Sequence, residues 1–375
     1  IVPSGKYVLE SIITDILVMN MKAKDLVFNN WRERNGIGGV VGSNRSSILS
    51  ITNATVTGTE PSNRNDSQTY GCKLQASTEK NRQAYPNGVG GIIGHTEYKS
   101  NYGTAAKVTL TDCDVSNVYL ETSGNMNFTD KIMAAGGIAG HVASDLVFDG
   151  SIKTEKCYIA APMNSEKDLP NDIQAAGGCV GYQRTGKISG NTYAKNLTAT
   201  NNIVSGKQAG GLIGAAKGEL RLEQATVTGG SVQSDYMAGG LVGYFAVGSG
   251  TVFQRTSGDT RDNTVTNVTI SGRSAGGAFG AWETSQTVRM ENIAVSGCTI
   301  IGKPQLIGTT LASGDAGGMI GCFLNGSGSA LQQIYNSKVE GNTVMCETVA
   351  ETVSDEEKDK ISAGGMIGRV RADST

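Results

Sequence analysis

Histidine is nearly missing from this 375-residue sequence, which has two, His95 and His141. Chemistry that leans on imidazole as general base or metal ligand has little to work with. Charge is equally thin. Charged residues make up 18 %, with 32 basic against 34 acidic side chains, a balance that excludes the basic footprint of a nucleic-acid binder or a polybasic membrane anchor. No apolar run approaches the ~18 residues that would span a bilayer as a helix. The seven cysteines include no CxxC pair, so neither a zinc ribbon nor a thioredoxin-like site is indicated. Their density is far below that of a disulfide scaffold. The phosphate-cradling word GxxxxGK followed by Ser or Thr does not occur, and Gly36 to Gly42 lacks GxGxxG spacing, which leaves nucleotide binding without support.

Glycine is what the chain has instead, 52 residues of it. One word, Gly-Gly, two apolar residues, Gly, recurs nine times, beginning at Gly38, Gly90, Gly136, Gly177, Gly210, Gly239, Gly276, Gly317 and Gly364. The shortest interval, Gly210 to Gly239, is 29 residues, and the longer ones carry insertions. Between these words lies a second pattern: a polar residue, an apolar one at +1 and an aliphatic at +3. It starts at Asn20, Asn53, Asp112, Lys156, Asn196, Gln224, Asn267, Asn292 and Asn336. Alternation of this kind marks a strand with one buried face. In this alignment Cys113 and Cys157 share the +1 column, Val227 and Ile270 share the +3 column, and Val227 should lie over Ile270.

A unit this short cannot bury its own apolar face, so neighbours must stack. The expected fold is all-β, a right-handed parallel β-helix of about nine coils with long loop insertions. At ~4.8 Å per coil it would form a rod roughly 40–45 Å long. Residues 1–375 read as one solenoid segment. Asn20, Met21 and Ala23 look like the second half of a coil, which suggests a fragment of a longer protein. Adjacent apolar residues such as Leu212 and Ile213 cannot both face one side of a straight strand. Either the chain bends at the glycine pair or that strand is covered on both faces.

The AGGLIG of Ala209 to Gly214 and the AGGLVG of Ala238 to Gly243 resemble the GLUG motif, a repeat named for its Gly-Leu-any-Gly core. It is found in bacterial surface adhesins and in the N-terminal, non-catalytic region of streptococcal immunoglobulin A1 proteases. Cys179 and Ala278 replace the leucine in two copies, and several repeats exceed the family's compact spacing. The resemblance implies a large, secreted, wall-attached bacterial protein, with this segment at the extracellular cell surface.

Candidate chemistry is sparse. His95 and His141 each follow a glycine word in successive repeats and should stack about 5 Å apart. A surface metal site or acid–base pair is one reading. A structural column continuing through Tyr182, Ala215, Tyr244, Ala281 and Cys322 is the other, favoured by the lack of a carboxylate at zinc-ligand spacing. Asp112 and Asp114 share one strand rather than facing each other across a cleft, which argues against glycoside hydrolysis. Thr198 with Thr200, Thr226 with Thr228 and Thr269 with Ser271 suggest a threonine grid that could order water, interrupted by Asp114, Tyr158, Ala294 and Lys338. Insertions carry specificity on repeat rods, and the largest, Thr59 to Gly88, offers Tyr70, Arg82 and Tyr85 as ligand contacts. No catalytic residue, cofactor or metal is expected. Two functions fit: a non-catalytic rod of a surface adhesin or stalk touching a host or matrix protein or glycan, or an accessory solenoid of a large surface protease or glycan-active enzyme.

Overall fold

The computed structural model describes residues 10–28, 35–44, 48–78, 87–96, 107–124, 132–162, 173–184, 192–217, 220–246, 252–253, 263–284, 288–307, 310–325, 332–347 and 361–372. The chain winds as a parallel β-helix with three long sheets of eleven, sixteen and nine strands. Each sheet takes its strands from successive coils. The first runs from Glu10–Met19 through Ile48–Thr57, Lys107–Ser116, Asp145–Glu155, Leu197–Thr200, Thr226–Thr228, Asn263–Thr266 and Ile293–Ser296 to Lys338–Glu340. The third runs from Val41–Asn44 to Ile367–Ala372 and holds one strand from every glycine word. Every described pairing between coils is parallel. The exception among described strands is a local antiparallel hairpin, Gln305–Ile307 with Thr310–Ala312. Among the described residues no helix is long and apolar enough to cross a membrane.

The glycine doublets form one continuous column. Gly90 pairs with Gly136, Gly136 with Gly177, Gly177 with Gly210, and Gly210 with Gly239, and the column extends to Gly38 at one end and Gly364 at the other. Space, not dihedral angle, selects glycine here. A Cβ built on Gly211 would fall on the Gly240 carbonyl oxygen of the next coil and lie 2.8 Å from Val227 Cγ1. The two alternatives for this word prove compatible. The chain bends between Ile132–Gly136 of the second sheet and Ala139–Val142 of the third, and the strand before the bend is covered on both sides. Ala135, Ala176 and Ala209 face the main core. Ala134 and Ala175 pack on the other side against Tyr182 and Ala215, in a small second cluster.

Among the described residues the polar-apolar pattern sits at two corners of a coil, not one. At the first, Asp15, Asn53, Asp112, Asn196, Gln224, Asn292 and Asn336 all have left-handed backbone, φ 45–55°. At the second, Asn20, Asn117, Lys156, Asn201 and Asn267 do the same, joined by Gly229, Gly297 and Gly341. Asparagine and glycine tolerate this region best. Because both corners use one chemistry, a single sequence column mixes them, and four expectations need correction. Val227 pairs with Val265, whereas Ile270 pairs with Val232 on the second sheet, so they line different walls of the same core. Cys113 pairs with Ile152 in the first sheet, and Cys157 precedes Tyr158–Ala161 of the second. Thr269 and Ser271 pair with Ser231 and Gln233 in the second sheet; Thr264 and Thr266 complete the threonine grid in their place. Tyr158 leaves that grid and pairs with Tyr119.

Candidate functional site

The second sheet carries a polar cleft. In most coils this sheet receives two separate strands, but in the fifth and sixth coils each is one piece, Ile203–Gly210 and Ser231–Gly239. Their register slips once: Gly206 pairs with Ser234, while Gln208 pairs with Met237. The strand Ser231–Gly239 therefore carries an extra residue opposite Lys207. Such bulges twist a strand and re-aim its side chains. Here Ser234 Oγ donates to the Lys207 carbonyl at 2.6 Å and accepts from the Tyr236 amide at 2.8 Å, fixing the bulge. The Tyr236 ring has the Arg273 guanidinium 3.8 Å and the Lys207 ammonium 4.8 Å from its centre.

Beside this bulge opens a cleft of about 170 Å³ lined by Ser205, Gln233, Ser234, Asp235, Ser271, Lys303 and Gln305. Ser205, Gln233 and Ser271 are register partners in three successive coils. Gln305 comes from the antiparallel hairpin, and Lys303 reaches Glu347 at 3.5 Å. Every lining residue is polar, and the two charges, Asp235 and Lys303, are opposite. Of these residues only Ser271 was singled out in the sequence, and there as part of the threonine grid, because the one-residue slip and the hairpin both break the repeat that guided the reading.

The residues that sequence reasoning did single out lie elsewhere. Tyr70 is 2 % exposed; its hydroxyl donates to the Arg64 carbonyl at 3.0 Å and its ring meets Tyr119 at 5.7 Å. Burial pushes its phenol up to about 12. In this position it anchors a strap. That strap leaves the rod after Thr57, is tied by Asp66 capping a short turn at Ser67–Thr69, and runs along the second corner. The Thr59 amide donates to Asn20 Oδ1, Lys156 donates to Glu60 at 2.8 Å, and Arg64 donates to the Asn201 carbonyl. Arg82 and Tyr85 lie outside the described residues.

His95 and His141 stack as expected, with ring centres 4.7 Å apart and planes 9° from parallel, and Tyr182 continues the column at 5.5 Å. Their Nδ1 atoms are 2.7 Å apart, so one ring donates and the other accepts. Both rings are fully buried, which suits a structural column. Asp112 accepts from the Ser151 amide at 2.8 Å, and Asp114 stands on the outer face between Thr55 and Lys153. Burial raises the thiols Cys157 and Cys179 to about 12 and Cys113 to about 11, far from the range of a reactive thiolate. No family model, curated protein or solved structure matches this chain significantly.

Proposed function

We propose that this chain is the non-catalytic rod of a bacterial cell-surface adhesin or stalk, holding a binding face at a fixed distance and orientation. The observation that supports this most is the unbroken column of glycine words from Val41–Asn44 to Ile367–Ala372. Stacking of this kind gives an extended, stiff surface on which individual coils vary outward residues without disturbing the core. The polar cleft between the sixth coil and its neighbours is such a variation. The resemblance to GLUG repeats supplies the cell-surface setting. Probing the immobilised protein with purified matrix proteins and glycans tests the proposal. Saturable binding with every probe recovered intact is the expected result; cleavage of a peptide or glycan would contradict it.

A further inference from the structure

We infer that the cleft at the Asp235 bulge is a binding site for one neutral sugar ring, a pyranose unit at the end or branch of a glycan. The inference deepens the binding-rod reading and rests on it for its biological setting. Size comes first. A cavity of about 150 Å³ accommodates a benzene ring, so a cleft of about 170 Å³ has room for one six-membered ring. Charge comes second. The Asp235 carboxylate and the Lys303 ammonium balance across the lining, and Lys303 already faces Glu347, which disfavours a phosphate or an acidic sugar. A single carboxylate is too few for a hard cation, which takes several oxygen ligands. No apolar side chain lines the cleft among the described residues, which disfavours a hydrophobic ligand.

What is left is a ligand dense in hydroxyl groups. Asp235 can accept from two adjacent hydroxyls, the carboxamides of Gln233 and Gln305 each offer a donor pair and an acceptor, and the hydroxyls of Ser205 and Ser271 serve as either. Among the described residues, the side chains of Asp235, Gln233, Gln305, Ser205 and Ser271 make no hydrogen bond or ion pair with the protein, so their capacity is available to a ligand. Tyr236, next to Asp235 in the bulge, is held by Arg273 and Lys207 over its ring. With no ring among the described lining residues, recognition runs through hydrogen bonds, and single-site affinity is low.

Saturation-transfer difference NMR on the whole chain tests this. The probes are the methyl glycosides of glucose, galactose, mannose and N-acetylglucosamine, with methyl glucuronide and methyl phosphate as charged comparators. Transfer to at least one neutral pyranoside is expected, with little or none to the charged probes. Asp235→Ala should weaken it about tenfold or more, as loss of a charged acceptor does, and Gln233→Ala should weaken it less. Both residues are exposed, so circular dichroism should stay unchanged, and Thr226→Ala on the first sheet should leave binding intact. Absence of transfer from every neutral pyranoside, a preference for the charged probes, or binding indifferent to both cleft variants would overturn the inference. A protein partner held by another face would preserve the adhesive reading while this site failed.

Discussion

The fifth coil and the ninth carry nearly the same word, Ala209 to Gly214 and Ala363 to Gly368, in different company. In the fifth, Leu212 is fully buried and a Cβ on Gly211 would strike the next coil; in the ninth, Met366 is 39 % exposed and a Cβ on Gly365 would meet nothing within 4 Å. The word is therefore not a folding unit by itself. Its demand for glycine, and the burial it achieves, come from the coil above. Stability in such a rod is a sum over neighbouring interfaces, and identical substitutions should cost according to position in the stack.

The largest effect should come from the doublet itself. In a protein of these 375 residues alone, Gly211→Ala should destabilise by about 3 kcal/mol or more, since its methyl group meets backbone that cannot give way, whereas Gly365→Ala should stay within about 0.5 kcal/mol. Paired urea melts would show this, and equal losses would break the comparison. Next comes the core wall. Val227→Ala should cost about 2 kcal/mol and Val339→Ala under about 1 kcal/mol, because the second site is only partly enclosed and loses less contact.

Alkali sharpens the contrast in another way. The interior thiols Cys157 and Cys179 move from an ordinary 9.0 to about 12 on burial. A raised acid stays protonated in the fold while the unfolded chain ionises, so stability is full below pH 9.0 and falls as pH climbs toward 12. Thermal melts across that window should show the decline, and in the native state Cys346, which is partly exposed, should be alkylated before Cys157. The smallest effect belongs to the strap. Glu60→Gln removes an exposed ion pair with Lys156, so melts should not move, while amide exchange at Thr59 should quicken.

Much of this architecture was legible because it repeats. The glycine column, the inward alternation and the stack from His95 through Tyr182 to Cys322 follow from spacing alone. The corners were harder. Left-handed residues at Asn53 and Asn117 precede the same alternation, so a column built from sequence jumps from one wall to the other at Lys156 and Asn267, carrying Cys157 and Ile270 with it. The cleft was illegible for the opposite reason: the extra residue opposite Lys207 and the hairpin bearing Gln305 are departures from the repeat. Tyr70 illustrates a third limit, since an aromatic in an insertion can serve the rod rather than a ligand.

Distance along the rod is the most direct test. Thr55, Asp114, Lys153, Thr198, Thr226, Thr264, Ala294 and Lys338 form one outward column of successive register partners. Spin labels at Thr55 and Thr264 should then sit about 24 Å apart, and labels at Thr55 and Lys338 about 34 Å apart, rising by ~4.8 Å per coil. Separations that do not grow with the number of coils between the labels would contradict the stacked solenoid.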